Sequence, residues 1–429
     1  MPQTIVRKAV PLDAPQISVL YDEAYKPPDG GKASDHYPFP QILDSGWVAQ
    51  AISDGWVYWV IAECNGQIVG SAAAVRNIGS MNDRVVEVFG IVVRVEARRA
   101  GCAKQLLAAL CDGLGDGPQF ILCESRTALA AGWKVARGGG FSPLGFEPFA
   151  HCTPAGSEAM LLTGLIRRGA LAARVTDTLY TPVKTLADAV LGNKVSAVSY
   201  EPDPGRYPLH GQTWSELAPA CQQLSMEPPA AGVEALSLVT VCRDDRVGKQ
   251  LIEETGEKHR HRSGVIAFRR FEGDAPQRYD RQYHVVRAGQ HALAAALVVY
   301  DRIDQRARIL NLRTKYEGLQ GVLLAAVVAA LVGQASSRRL VIVIDICADA
   351  CKLQETLLAL DFRPTIYYPS FIARGSARVD GIQYTGLINC EFGDSLDCLD
   401  RLDWPSATAV IKAVRSGFLQ EAGAVRGIP

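Results

Sequence analysis

The sequence predicts an α/β fold, and predicts it twice over. Three observations carry this. The stretch Glu87–Leu110, EVFGIVVRVEARRAGCAKQLLAAL, begins as a β-branched strand and ends as a helix, with Leu106, Leu107 and Leu110 at three- and four-residue steps. Upstream, Val57–Cys64 and Gln67–Arg76 flank Asn65-Gly66, the strongest short hairpin signal in the chain. From about Val233 the order of strands and helices recurs.

In order, Thr4–Ala9 reads as a strand and Ala14–Ala24 as a helix. Residues 26–40 are rich in proline and glycine and read as a loop. Gln41–Ile52 follows as a helix whose Ile42, Trp47, Val48 and Ile52 belong to a core. After the hairpin, the loop Asn77–Asp83 leads into the strand at Glu87. Gly113–Pro118 turns the chain into a buried strand at Phe120–Cys123. Ala128–Arg137 is a helix, and Gly138-Gly139-Gly140 reads as its C-cap rather than as a phosphate loop. Phe141–Phe149 and Ala159–Leu165 are the closing strands of a first unit, residues 1–168.

Residues 169–234 read as a connector with a helix at Thr181–Leu191 and extended, proline-rich stretches at Tyr200–Pro208 and Pro228–Gly232. The second unit, residues 235–390, carries strands at Ala235–Val241, Tyr283–Arg287, Ala292–Tyr300, Ala307–Arg313, Leu340–Asp345 and Ile382–Leu387. Its helices are Arg246–Glu254, Gly321–Leu331 and Lys352–Leu360. Residues 391–429 are a loop and an amphipathic helix, Ala407–Leu419, with Val410, Ile411, Val414 and Phe418 on one face.

Composition narrows the class. With 429 residues, 48% hydrophobic and 21% charged, the chain can bury a sizeable core and divide into two or three domains. Zero formal net charge disfavours nucleic acid as a partner and gives no attraction to an anionic membrane. The apolar run Gly321–Val332 is too short to span a bilayer, and MPQTIVRKAV is no signal peptide. The eleven cysteines include no C-x-x-C pair, and Cys347 and Cys351 have no histidine pattern beside them. Reduced thiols in a cytoplasmic protein, with no metal, are expected. Lys258–Arg262 and the aspartates between Asp394 and Asp403 read as solvated loops.

Between strand and helix lies Arg98-Arg99-Ala100-Gly101-Cys102-Ala103. The first amides of a helix have no intrahelical partner and sit at the positive end of its dipole. Small residues let a phosphate approach them, and two arginines add charge. An ordinary strand-to-helix turn with solvated arginines would look the same.

The wider pattern separates the two readings. Arg98-x-x-Gly101-x-Ala103 resembles the R/Q-x-x-G-x-G/A loop of the GNAT acyltransferase superfamily. Ile91–Ala97 is similar to the segment that precedes that loop, with Val95 in place of the usual proline. Glu87, eleven residues before Arg98, stands where many members carry a strand glutamate, and Trp59–Gly70 resembles the family's hairpin. The resemblance covers about residues 4–165. It implies two GNAT-like domains in tandem, each a mixed twisted sheet flanked by helices. Asp361-Phe362 would match the closing Gly-Phe of the first unit, and the second unit would be degenerate. Its loop, Tyr316–Gly321, lacks the leading arginine, and Glu317 would repel a pyrophosphate.

The resemblance also implies a chemistry: N-acetyl transfer from acetyl-CoA, as co-substrate, to the amine of a small-molecule or amino-acid-like acceptor. The binding residues would be Ile91, Val92, Val93, Arg98, Arg99, Ala100, Gly101, Cys102, Ala103 and Lys104. The amide near Ile91 would face the thioester oxygen, and the Val93 backbone would pair with the pantetheine. Glu87, on the strand face that even spacing would share with Ile91 and Val93, would be the general base, its pKa raised in a partly dry cleft. Tyr21, Tyr25 and Tyr37 could line that cleft, but a tyrosine in such a place is more often a packing residue. The family's tyrosine acid has no match here, because its position is Ala136. Cys123 reads as an inert core thiol. Alternative readings are a non-catalytic acyl-CoA sensor or scaffold, and transfer or decarboxylation with another thioester or an aminoacyl donor. A homodimer is open.

Overall fold

The computed structural model describes residues 4–26, 31–33, 39–127, 130–153, 156–192, 195–198, 239–253, 264–268, 278–288, 291–314, 320–390, 392, 399 and 402–419. Readings on Tyr37, Tyr200–Pro208, Pro228–Gly232, Lys258–Arg262, Glu317 and Asp394–Asp400 lie outside the described residues.

β1 (Ile5–Lys8) pairs antiparallel with β2 (Val57–Cys64), and β2 with β3 (Gln67–Arg76) across Asn65-Gly66. Asn65 (φ 52°) and Gly66 (φ 78°) both take the left-handed backbone that such a tight hairpin needs. β4 (Val85–Val93) pairs with β3. α3 (Cys102–Leu114) then crosses over to β5 (Phe120–Arg126), parallel to β4. A parallel pair requires such a crossover. α4 (Ala130–Gly138) and the hairpin β6 (Ser142–Thr153) and β7 (Gly156–Ile166) follow.

Both faces of this sheet are covered. α1 (Ala14–Tyr25) and α2 (Ser45–Asp54) bury Ile17, Leu20, Tyr21 and Val48 against Trp59, Ala73 and Phe89. On the opposite face α3 seats Leu106, Leu107 and Leu110 against Ala72, Ala74, Val86 and Val88. The helix expected over Gln41–Ile52 is divided: Pro40–Leu43 makes a 3-10 turn, and Asp44 caps α2 by accepting from the Gly46 amide at 2.8 Å.

α5 (Arg168–Ala172), β8 (Thr178–Tyr180), α6 (Thr181–Leu191) and β9 (Ser196–Val198) lead out of the first half. The second half begins with β10 (Val239–Arg243), α7 (Asp245–Glu253), β11 (Tyr279–Ala288), β12 (His291–Asp301) and β13 (Arg306–Thr314). It continues with α8 (Gln320–Ala335), β14 (Leu340–Cys347), α9 (Cys351–Ala359), β15 (Arg363–Arg374), β16 (Ala377–Ile388) and α10 (Pro405–Leu419). One 14-stranded mixed sheet runs β1-β2-β3-β4-β5-β7-β6-β15-β16-β14-β13-β12-β11-β10. Read inward from either edge, the strand order is the same, and the parallel joins are β4–β5 and β13–β14.

Register repeats as well as order. Val85 lies opposite Phe120, and 221 residues on, Arg306 lies opposite Val341. Ser142 opposite Gly164 becomes Arg363 opposite Thr385. Left-handed residues recur at the same offset: Arg84 and Gln305, Gly115 and Ser336, Gly140 and Asp361, Phe149 and Ser370. Asp83 accepts from the Ala373 amide at 2.8 Å, and its counterpart Asp304 accepts from the Cys152 amide at 2.7 Å. At the seam β6 meets β15 through Gly145 opposite Ile366, which are themselves counterparts. An antiparallel bridge between equivalent positions lies on a two-fold axis, so the halves are related by an internal pseudo-two-fold. A Cβ on Gly145 would collide with the Thr365 carbonyl, so the seam closes only over glycine.

α6 and α10 cover that seam, packing on β6 and β15. The helix at Thr181–Leu191 is therefore part of the joint between halves rather than of a free link. β15 is absent from the sequence reading because Pro364 looks like a strand breaker; the register shifts there, and a bulge absorbs the proline. No helix among the described residues is long and apolar enough to cross a membrane.

Candidate active site

β4 and β5 pair only as far as Val88 opposite Cys123. β4 runs on to Val93 and β5 to Arg126 without further pairing between them. The two strands part, and the edge of β4 over Phe89–Val93 faces a wedge. Along its other edge β4 bulges. Ala73 lies opposite Phe89 but Ser71 lies opposite Val92, so β4 carries one extra residue at Gly90-Ile91. Gly90 has φ 61°, and a Cβ there would sit 2.5 Å from the Tyr21 hydroxyl. That hydroxyl donates to the Gly90 carbonyl.

The bulge corrects one expectation. Even spacing placed Glu87 on the face of Ile91 and Val93, but an inserted residue reverses the alternation. Ile91 and Val93 pack beside Val86 and Val88 toward α3, whereas Phe89 and Val92 lie toward α1 and α2. Glu87 belongs to the second face, 2% exposed, opposite Val75 on β3 and Leu122 on β5.

Beyond β4, a 3-10 turn at Val95–Ala97 leads to exposed Arg98, Arg99, Ala100 and Gly101. Arg99 (φ 68°) and Gly101 (φ 79°) are left-handed, and Gly101 is the N-cap of α3. The first turn of α3 closes with the Gln105 amide donating to the Gly101 carbonyl at 3.1 Å. The amides of Cys102, Ala103 and Lys104 therefore lack intrahelical acceptors. The Cys102 thiol is buried, which raises its pKa, so this residue offers its amide and not its sulfur. Arg98 donates from Nε to the Val93 carbonyl at 3.0 Å, which ties the loop to the wedge edge.

Around Glu87, the Cys123 thiol is pushed up to about 12, chiefly by burial and then by the nearby charges of Glu124 and Glu87. It is the inert thiol expected. Tyr25 stacks on Tyr21 with ring centroids 6.2 Å apart. Burial raises its phenol to about 12, against the opposing charge of Arg126 at the end of β5. Ala136 is buried in α4. No cluster of metal-ligating side chains occurs among the described residues.

The second half has the same parting but not the same opening. β13 and β14 pair as far as Ile309 opposite Ile344. There the strap Gly264–Phe268 lies along β14: the Ile266 amide donates to the Asp345 carbonyl, and the Cys347 amide to the Gly264 carbonyl, each at 2.7 Å. Val265, Ile266, Ala267 and Phe268 are buried. The counterpart of Glu87 is Arg308, 5% exposed. It donates to Asp345 at 2.7 Å and to Glu147 of the first half. Gln383 donates to Glu147 at 2.7 Å and to Asp345 at 3.0 Å.

Sequence reasoning singled out the loop, the strand and Glu87, and missed the bulge, Tyr21's hydrogen bond and the strap. One signal for the bulge was present: Gly90, a lone glycine within a β-branched strand.

Residues 19–117, which hold the wedge and the loop, match the model of the acetyltransferase (GNAT) family. Over that segment the chain is similar to the family. No curated protein sequence matches the chain. Among solved structures, an N-acetyltransferase from Staphylococcus aureus Mu50 is 20% identical, with TM-score 0.32, and covers 38% of this chain and 98% of its own. A ribosomal-protein-alanine N-acetyltransferase from Brucella melitensis is 19% identical, with TM-score 0.32, over 38% and 99%. A GNAT-family acetyltransferase from Streptococcus pneumoniae is 16% identical, with TM-score 0.33, over 38% and 99%.

Proposed function

We propose that the protein is an acyl-CoA-dependent N-acyltransferase with a single working cleft, in the first half, using acetyl-CoA and an amine of a small-molecule or amino-acid-like acceptor. The observation that carries this is the wedge: the β4 edge that β5 leaves beyond Val88, ending at helix amides without intrahelical acceptors inside the family-matched segment. The amides from Arg99 to Lys104, with Arg98 and Arg99, would hold the pyrophosphate. Val93 would pair with the pantetheine, and Arg98 would have to release its carbonyl. Bound there, acetyl-CoA supplies an activated acyl carbon. The Ile91 amide would stabilise the oxyanion that forms when an amine attacks, and such a donor is worth about 3–4 kcal/mol. Glu87, directly or through water, would take the amine proton. Its place on the α1 and α2 side gives the direction from which the acceptor would come.

The second half reads as a degenerate copy of the first, with its wedge filled by the strap and its base position taken by Arg308. Thiol release from acetyl-, malonyl- and long-chain CoA across amine and amino-acid acceptors tests the reading. Binding of acetyl-CoA without thiol release from any pair would replace it with a sensor or scaffold.

A further inference from the structure

Tyr21 lies within α1, fully buried. Its hydroxyl is nevertheless directed at the backbone of the wedge. Trp59 Nε1 donates to Ser71 Oγ at 2.8 Å, Ser71 Oγ lies 3.4 Å from the Tyr21 hydroxyl, and that hydroxyl donates to the Gly90 carbonyl. Trp59 meets the Tyr21 ring edge-on at 6.4 Å, and Tyr25 stacks on its other side. The ring has no freedom to turn away. Burial holds its phenol far above the ordinary range, so it stays a neutral donor.

The receiving carbonyl belongs to the two-residue bulge Gly90-Ile91, which the ladder to β3 skips. A peptide unit is planar, and in its trans form the C=O and N–H point opposite ways. Holding the Gly90 carbonyl toward α1 and β3 therefore aims the Ile91 N–H the other way, toward the gap beside β5. If this one peptide turned over, a carbonyl would face the gap instead, and an oxyanion would meet a negative dipole. Such a turn rotates ψ of Gly90 and φ of Ile91, and glycine at 90 leaves the first of these two angles unrestrained.

We infer that Tyr21 is a positioning residue for acyl transfer: by holding the Gly90 carbonyl it keeps the Ile91 amide facing the wedge, where the thioester oxygen would lie. This rests on the acyltransferase reading above. The full-length Tyr21→Phe variant keeps the ring and its stacking and loses only the hydroxyl. Its acetyl-CoA affinity by calorimetry is expected to stay within about twofold, because the α3 amides are untouched. Its kcat is expected to fall about 10- to 100-fold, part of the loss seen when an oxyanion donor is removed outright. In protein labelled with 15N-isoleucine, the Ile91 amide resonance should move downfield on acetyl-CoA binding in the wild type and much less in the variant. Ile17→Val, one turn earlier in the same helix, is the control for loosened packing and should keep both kcat and the amide shift. A Tyr21→Phe variant with kcat within twofold of wild type and an unchanged Ile91 shift overturns the inference and leaves the acyltransferase reading standing. Equal losses in the Ile17→Val control overturn it too. If the wild type binds acetyl-CoA but transfers nothing, the enzyme reading falls, and the Ile91 shift still decides what Tyr21 does. If the wild type binds no acetyl-CoA, both fall.

Discussion

Arg308 occupies in the second half the place that Glu87 occupies in the first, at the same register on the same strand of a repeated topology, with the opposite charge. One copy presents a buried carboxylate at the open wedge. The other presents a guanidinium locked between Asp345 and Glu147 under a strap of the chain's own backbone. The sign change alone disqualifies Arg308 as a proton acceptor.

Glu87→Gln keeps shape and removes basicity. If Glu87 takes the amine proton, kcat falls about 10²- to 10⁴-fold. The KM for acetyl-CoA stays near wild type, because the loop is untouched. The acidic limb of the pH–rate profile, where a base must be ionised, flattens. A variant with a near-normal rate and an intact acidic limb removes Glu87 from the chemistry.

Gly101 separates geometry from charge. No atom lies within 4 Å of where its Cβ would be, so a side chain there meets only the strain of left-handed backbone. Gly101→Ala should lower stability by about 1–2 kcal/mol and keep most affinity for CoA. Gly101→Glu should abolish binding in a folded protein, since its carboxylate would stand where the pyrophosphate is expected. Calorimetry on both variants checks this, and unchanged affinity in Gly101→Glu would move the site elsewhere.

Stoichiometry tests the strap. With Gly264–Phe268 lying along β14, calorimetry should give close to one CoA per chain, and CoA soaked into crystals should give density beside residues 91–104 alone. Two equivalents per chain would mean that the strap yields to ligand.

Arg308→Ala removes the cation that Glu147 and Asp345 share, while Glu147 keeps its ion pair with Arg306. Breaking a buried pair in this way costs about 3–5 kcal/mol. Denaturant titration should show that loss, while affinity for CoA in the first wedge changes little. A stability change under 1 kcal/mol would mean that water replaces the guanidinium.

Local signals carried much of the fold. The hairpin Val57–Arg76 and the helix Thr181–Leu191 fall within the bounds that their turn and periodicity predict, because Asn65-Gly66 and the Val183, Leu186, Ala187 face specify them without help from distant residues. The repeat was legible as an order of elements and at the single step Asp361-Phe362. Its constant offset was hidden because few identities survive. Pro143 with Pro364, Phe141 with Phe362 and Asp83 with Asp304 are among those that do. The site was half legible. The Arg98–Ala103 loop depends on small residues close in sequence, whereas the strap, the Tyr21 bond and the Arg308 network join residues that are 37 to 236 positions apart or lie in segments with no periodicity. The reversed face of Glu87 follows from a single inserted residue that strict alternation cannot register.

The ion pair across the seam has a genetic implication. Glu147 and Arg308 are not counterparts: the first corresponds to Tyr368 and the second to Glu87. A homodimer of one short gene product would carry the same residue at each equivalent place. It could not set an arginine here without losing a glutamate in both clefts. Joining the copies in one reading frame lifts that constraint. Each position can then vary alone, and one half can use for the seam a position that the other half keeps beside its wedge.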